Sequence, residues 1–171
     1  SVILIATSLM CSIAGCNRTS APTTEIAGAK TTENSEYTGR GNQNELLLAL
    51  MIDLNENDTI SLKDITLIKD AATQRSDVKA IKVYYTGQLD TLDTRTLHDA
   101  LLLGKGSLSK KKTKIALSGD LKPGRNYLWV TADIADDATE GNRVAVSLTS
   151  VGYNKNKRFE YEPEPAKGRE I

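Results

Sequence analysis

The chain has 171 residues, which is enough for one domain with a hydrophobic core and terminal tails. Its 22 basic and 22 acidic residues balance, so the composition does not favour nucleic acid, whose binding usually needs a basic excess or stripe. The one histidine, His98, and two cysteines near the N-terminus, Cys11 and Cys16, predict no metal site, no cofactor and a domain without disulfides.

An apolar, uncharged segment forms the N-terminus. Residues 1–15 are too short to span a bilayer as a helix, which needs about 20 residues, and are typical of a secretory signal. Ile13-Ala14-Gly15-Cys16 resembles a bacterial lipobox, in which small residues precede the cysteine that receives the lipid. Residues 1–16 are therefore predicted to be a signal peptide with a lipobox, and lipidated Cys16 is predicted to anchor the protein to a membrane of the bacterial cell envelope. The alternative is an ordinary signal peptide, an incidental cysteine and a secreted product.

A tether and the first strand are predicted next. Residues 17–43 are rich in Thr, Ser, Gly, Asn and Ala and poor in large apolar residues, which is typical of a disordered, flexible tether. The domain is predicted to span residues 44–153. Its first apolar run, 45–54, fits a helix or a strand, and the polar turn signal at 55–58 favours a strand.

Two alternating segments follow. Residues 59–69 alternate with a phase slip near Lys63 and Asp64, which predicts a strand with a bulge. Residues 78–86 predict a strand with two distinct faces. One face carries Ile81, Val83 and Tyr85, and the other carries Lys82 and Tyr84.

The middle of the chain has a weaker pattern. Residues 89–106 predict a long loop with a short helical turn around 96–103. The basic run 110–114 is typical of a solvated hairpin end, because like charges repel and stay exposed. Residues 112–118 predict a further strand.

Two more strands end the predicted domain. A tight turn at 122–126, with proline and glycine, precedes a strand at 127–134. One face of that strand carries Leu128, Val130, Ala132 and Ile134, and the other carries Tyr127, Trp129, Thr131 and Asp133. After a polar link, residues 143–151 alternate again, and the charged tail 154–171 is predicted to be an exit linker.

About seven strands separated by turns, with little helix, are typical of an all-β fold. We expect an antiparallel β-sandwich, either immunoglobulin-like or of the jelly-roll kind seen in carbohydrate-binding modules.

Four segments, in chain order, carry a family resemblance. They are 58–69 (DTISLKDITLIK), 76–87 (SDVKAIKVYYTG), 121–130 (LKPGRNYLWV) and the strand pair that follows this turn. Over residues 44–152 the chain resembles the N-terminal domain of bacterial exo-α-sialidases, which are neuraminidases with Asp-box repeats.

The resemblance implies a non-catalytic module. In that family the chemistry takes place on a six-bladed propeller, which at about 40–50 residues per blade does not fit in this chain. The Asp-box motif is absent, so no catalytic residue can be assigned. The catalytic domain, a glycoside hydrolase, therefore either follows Ile171 in the same polypeptide or is missing.

Three aromatic and two basic side chains are the candidate carbohydrate-binding residues. If the aliphatic faces are internal, Tyr84, Tyr127 and Trp129 share outer faces, and their flat rings suit the apolar faces of sugars. Lys82 and Arg125 are candidates to pair with the carboxylate of a sialic acid, the ligand that the resemblance implies. The alternative is that Trp129 packs between the sheets or under the predicted long loop, while Tyr84 and Tyr127 seal a domain interface.

Three functions fit this pattern. The first is a surface-anchored accessory module that orients a glycan-degrading propeller and binds sialylated glycan weakly. The second is a spacer that packs on the propeller and has no ligand. The third is a free-standing surface lipoprotein for adhesion or assembly.

Overall fold

A computed structural model describes residues 26–163 and 165–171 of the chain. The predicted signal peptide, Cys16 and the first part of the predicted tether lie outside this part. The described residues form eleven strands and one 3-10 turn, Arg75–Asp77. The strands are β1 Ile26–Glu33, β2 Glu45–Leu54, β3 Ile60–Lys69, β4 Val78–Tyr85, β5 Leu101–Gly106, β6 Lys112–Leu121, β7 Gly124–Ile134, β8 Arg143–Val144, β9 Val146–Tyr153, β10 Lys157–Glu160 and β11 Arg169–Glu170. No helix in the described ranges is long and apolar enough to cross a membrane.

Two antiparallel sheets form the architecture. The five-stranded sheet has the order β1-β2-β7-β4-β5, and the four-stranded sheet has the order β10-β9-β3-β6. A short ribbon pairs β11 with β8. The two sheets pack through their aliphatic faces, which confirms the predicted all-β antiparallel sandwich.

The alternation of β7 decides which side chains are buried in the core. Leu128, Val130, Ala132 and Ile134 belong to the core cluster between the sheets, as the sequence predicts. Their neighbours Tyr127, Trp129, Thr131 and Asp133 lie on the opposite, outer face, because successive side chains of a strand point to opposite faces. The turn before this strand is also as predicted, since Gly124 has a φ of +84° that few other residues adopt without strain.

Two further strand predictions agree closely with the structure. The apolar run 45–54 is a strand, β2, and not a helix. The predicted slip in β3 is a real irregularity, because the register against both neighbouring strands shifts between Leu62 and Asp64. The extra residue turns Asp64 onto the outer face of the four-stranded sheet, where its side chain contacts Arg158 and Lys114.

Three segments differ from their predictions. The predicted tether contains β1, which pairs with β2 at an edge of the five-stranded sheet. The predicted exit linker contains β10 and β11, which pair with β9 and β8. The predicted long loop ends in β5, so Leu101 and Leu103 are in a strand and not in a helical turn. These are short or edge strands, which need few large apolar residues and therefore give a weak pattern.

Candidate functional site

The outer face of the five-stranded sheet carries most of the predicted binding residues. Trp129 on β7 lies opposite Ala49 on β2 and opposite Tyr84 on β4. One step along the sheet, Tyr127 lies opposite Met51. Antiparallel pairing therefore brings the three predicted aromatic residues onto one face, beside small or flexible apolar side chains.

A cleft of about 550 Å³ opens on this face. We call it the aromatic cleft. Its lining residues are Lys30, Thr32, Glu33, Asn34, Ser35, Glu36, Leu46, Ala49, Met51, Asp90, Tyr127 and Trp129. The apolar side chains form its floor, and the polar ones come from β1, the segment after β1 and the loop after β4. An apolar floor with a few polar groups at the rim is the usual composition of a small-molecule site.

The two aromatic rings of the cleft have different roles. Tyr127 and Trp129 stack with their ring centroids 6.2 Å apart and their planes 19° from parallel. Trp129 is only 6% exposed, and its Nε1 donates a hydrogen bond of 2.8 Å to Oγ1 of Thr86 in the loop after β4. Tyr127 is half-buried. The Trp129 ring therefore supports the Tyr127 ring, which is the more accessible of the two.

Lys82 does not face the cleft with a free charge. Its Nζ lies 2.8 Å from the carboxylate of Asp133 and donates a hydrogen bond of 2.9 Å to Oδ1 of Asn44. The side chains of Lys82 and Asp133 are only 12% and 13% exposed. The backbone N–H of Asn44 also donates to Asp133, at 3.0 Å. The lysine is thus part of a closed polar cluster on the outer face.

Arg125 is the exposed cation of the predicted set. Its Nε lies 3.2 Å from the carboxylate of Asp53, and 56% of its side chain is exposed. A hydrogen bond to Asp53, and to a smaller extent one to Tyr127, raises the pKa of the guanidinium above its ordinary value. Arg125 therefore stays charged and accessible next to the Tyr127 ring.

The comparisons with known proteins agree with this fold. A family model described as the N-terminal domain of BNR-repeat neuraminidase matches residues 39–157. The chain belongs to this family. No curated protein sequence matches it. This neuraminidase N-terminal domain also shares its fold with the Hadza microbial sialidase Hz136, with a TM-score of 0.66 at 14% identity. The alignment covers 78% of the present chain and 30% of the Hz136 chain, so the domain spans about a third of that protein.

Sequence reasoning missed several groups of this neuraminidase N-terminal domain. The rim residues Glu33, Asn34 and Glu36 fell within the predicted tether, and Asp90 fell in the predicted loop. The alternation of β7 predicts the correct face for Asp133, but the pairing of Asp133 with Lys82 depends on the register between β4 and β7. The sequence shows a lysine on one outer strand face and an aspartate on another, but only the strand order reveals that Lys82 and Asp133 are neighbours.

Within residues 26–163 and 165–171, no group of three or more His, Cys, Asp or Glu side chains could hold a metal ion. The described cleft carries carboxylates and hydroxyls at its rim.

The Tyr84 hydroxyl of the polar cluster predicts a dependence on alkaline pH. It donates a hydrogen bond of 3.0 Å to Oδ1 of Asn44. Burial raises its pKa above the ordinary value of 10.0, opposed by Lys82 and assisted by Asp133. The folded state therefore keeps this proton when the unfolded state has lost it, so the stabilisation is complete below about pH 10 and is lost as the pH rises through the folded pKa.

We expect the free energy of unfolding of Tyr84→Phe to fall less steeply above about pH 10 than that of the wild type. Urea titration at a series of pH values measures this slope. The matched control is Tyr37→Phe, since the Tyr37 ring is 77% exposed. An unchanged alkaline slope in Tyr84→Phe would contradict the assignment.

Proposed function

We propose that the chain is a non-catalytic accessory module of a surface sialidase-like protein, and that its aromatic cleft binds sialylated glycan. Family membership over residues 39–157 supports the first part. The observation that carries the second part is the cleft of about 550 Å³ itself, with its apolar floor and polar rim on the outer face of a rigid sheet. Such a volume is within the usual range of ligand sites, about 300–1,000 Å³.

The floor suits the apolar face of a sugar ring. Tyr127 and Met51 are cross-strand partners, so a ring laid along this row contacts an aromatic plane and a flexible thioether together. The stack on Trp129 holds the Tyr127 ring in place before a ligand arrives. A platform fixed in advance loses less conformational entropy on binding.

The rim suits sugar hydroxyls. Glu33, Glu36 and Asp90 supply carboxylate oxygens that accept hydrogen bonds, and Asn34 supplies an amide that both donates and accepts. Hydrogen bonds to charged acceptors are stronger than neutral ones, so a few of them orient a small ligand. The rim carries three carboxylates and one lysine, Lys30, so its net negative charge repels the carboxylate of a sialic acid.

The acidic group of the glycan belongs beside Arg125. The Arg125 guanidinium adjoins Tyr127 and stays exposed although its Nε is paired with Asp53, whereas the Lys82 ammonium is enclosed by Asp133 and Asn44. An arginine can form two parallel hydrogen bonds to a carboxylate. We therefore assign the carboxylate to Arg125 and the neutral sugar next to it to the cleft.

A titration of the 171-residue chain with a sialylated trisaccharide, followed by calorimetry, tests this proposal. Tyr127→Ala is expected to weaken binding about fivefold, because a stacking contact on an aromatic ring contributes about 1 kcal/mol. Tyr37→Ala removes an equally sized exposed ring that does not line the cleft, and it is expected to bind like the wild type. No binding by the wild type, or equal losses in both variants, would refute the cleft as the glycan site.

The module is also proposed to orient a catalytic propeller in the same polypeptide. The tight attachment of residues 169–171 favours this role, because the backbone of Glu170 and Ile171 is hydrogen-bonded to Thr38, Gly141 and Asn142. A following domain would then leave from a fixed point and not from a free linker. Sequencing of the gene beyond residue 171 tests it, and the absence of any further domain would refute it.

A lipid anchor at Cys16 is proposed to hold the module at the bacterial cell envelope. The lipobox-like residues that precede this cysteine support the proposal. Metabolic labelling with palmitate tests it in the full-length protein, and equal labelling of Cys16→Ser would refute it.

A further inference from the structure

A second hollow lies on the opposite side of the sandwich, on the outer face of the four-stranded sheet. It has a volume of about 240 Å³ and lies where β3, β6, β9 and β10 come together. We call it the basic hollow. Its lining residues are Lys63, Asp64, Lys114, Gly152, Tyr153, Asn154, Lys155, Asn156, Lys157 and Arg158. Five of these side chains are cationic and one is a carboxylate, although the whole chain has no net charge.

The one carboxylate of the hollow organises two of the cations. Asp64 is buried, and its two oxygens lie 2.9 Å from Nη2 of Arg158 and 3.2 Å from Nζ of Lys114. The other terminal nitrogen of Arg158 donates 2.7 Å to Oγ of Ser150. One negative charge cannot neutralise two positive ones, so this group keeps an excess positive charge at a fixed place.

The absence of a side chain at residue 152 makes the hollow possible. A Cβ on Gly152 would lie 2.8 Å from Oδ2 of Asp64, closer than real contacts of this kind. Glycine therefore lets the Asp64 carboxylate lie flat against β9. The bulge in β3 places Asp64 there. The bulge in β3 and the glycine in β9 together form the floor of this site.

The remaining cations are Lys155 in a turn, Lys157 at the start of β10 and Lys63 on β3. Lys155, Asn156 and Lys157 follow Asn154, whose φ of +50° turns the chain between β9 and β10. The Asn154 side chain accepts a hydrogen bond of 3.1 Å from the backbone N–H of Ser61, which fixes the turn to the neighbouring strand β3. Lysines from the turn, from β10 and from β3 therefore line the same small space.

We propose that the basic hollow binds the sulfate or carboxylate groups of an acidic polysaccharide. Several lysines around an arginine that is fixed by Asp64 attract a polymer with regularly spaced negative charges. Binding releases the counterions of that polymer, which favours association. Membrane docking is disfavoured because the exposed large apolar side chains of the described residues, Tyr37, Leu89, Leu101 and Leu102, are not in the lining. Single-stranded nucleic acid is disfavoured because Tyr153, the one aromatic residue of the lining, is buried and offers no ring to a base.

The site is independent of the aromatic cleft. The two hollows lie on different sheets and share no lining residue. An acidic polymer bound at the four-stranded sheet would hold the module on a charged glycan layer and leave the cleft open.

Binding of the 171-residue chain to dextran sulfate and to polygalacturonate, with neutral dextran as the control polymer, tests the proposal. The variant Lys63→Gln/Lys114→Gln/Lys155→Gln removes three exposed charges of the hollow. The matched variant Lys79→Gln/Lys105→Gln/Lys122→Gln makes the same change in net charge at exposed lysines that line neither the hollow nor the aromatic cleft. We expect the hollow variant to lose about tenfold or more in affinity and to show a weaker salt dependence, and the matched variant to change little.

A double variant, Lys63→Gln/Lys155→Gln, keeps both ion pairs of Asp64 and guards against loss of folding; it is expected to lose affinity in the same direction. Equal losses in the two triple variants would overturn the proposal, since binding would then follow net charge alone. It would also be overturned by equal binding to neutral dextran, or by tighter binding to anionic phospholipid vesicles or an oligonucleotide.

Discussion

Asp133→Ala is expected to lower the free energy of unfolding by about 3–5 kcal/mol. The carboxylate of Asp133 lies 2.8 Å from Nζ of Lys82, and 12% and 13% of the Lys82 and Asp133 side chains are exposed. Its removal leaves the lysine charge enclosed without its partner and deprives the backbone N–H of Asn44 of its acceptor. Chemical denaturation with urea measures the change.

Two further variants separate this effect from the loss of any carboxylate. Asp136→Ala removes the partner of Lys79 in an exposed ion pair and is expected to cost less than about 1 kcal/mol. The double variant Lys82→Met/Asp133→Leu removes both buried charges and is expected to be more stable than Asp133→Ala alone. Similar losses for Asp133→Ala and Asp136→Ala would contradict the description of the polar cluster as enclosed.

Arg169→Ala is expected to cost about 3–5 kcal/mol as well, because it breaks a second buried ion pair. Arg169 is 7% exposed and lies 2.8 Å from the carboxylate of Glu45. It also donates to the backbone carbonyls of Leu46 at 3.2 Å and Tyr37 at 2.7 Å. These contacts attach β11 to the strands at the other end of the chain.

The loss at Arg169 has a local signature besides the change in stability. The backbone N–H groups of Thr38 and Gly141 donate to the carbonyls of Glu170 and Ile171, at 2.8 Å and 3.0 Å. Release of β11 in Arg169→Ala should therefore speed hydrogen exchange at these two amides more than at core amides. Lys167→Ala, at an exposed position two residues away, is the control and is expected to change stability by less than about 0.5 kcal/mol. Unchanged exchange at Thr38 and Gly141 would contradict the attachment.

The sequence predicts the central strands well because they are buried on one face. β7 alternates cleanly, so Leu128 and Val130 are assigned to the core and Tyr127 and Trp129 to the outer face. The bulge of β3 is visible in the sequence for the same reason, since a slip in the alternation moves every later side chain to the other face.

The edge of the domain is much harder to predict. β1 has the sequence IAGAKTTE, which lacks a repeating apolar pattern, yet it pairs along most of β2. An edge strand is held mainly by backbone hydrogen bonds, and these do not produce a recognisable pattern of residue types. The two-residue strand β11 is too short to show a pattern, and the contacts of its buried Arg169 side chain with Glu45, Leu46 and Tyr37 depend on the folded chain.

The candidate site was predictable only in part, for a related reason. Alternation places Tyr84, Tyr127 and Trp129 on outer faces, but it does not say which strands are neighbours. The order β2-β7-β4 brings the rings together, and the register places Lys82 within reach of Asp133. The same register removes Lys82 from the proposed carboxylate site and leaves Arg125 in it.

The most direct test of the proposed function is a map of where glycan binds. A sialylated trisaccharide is added to the ¹⁵N-labelled 171-residue chain, and the amide signals are followed by NMR. Binding at the aromatic cleft predicts shifts in β1, in the segment after it, and around Met51, Arg125 and Tyr127, with the outer face of the four-stranded sheet unchanged. No shifts at millimolar glycan, or shifts confined to the four-stranded sheet, would contradict the assignment of the cleft as the sialylated-glycan site.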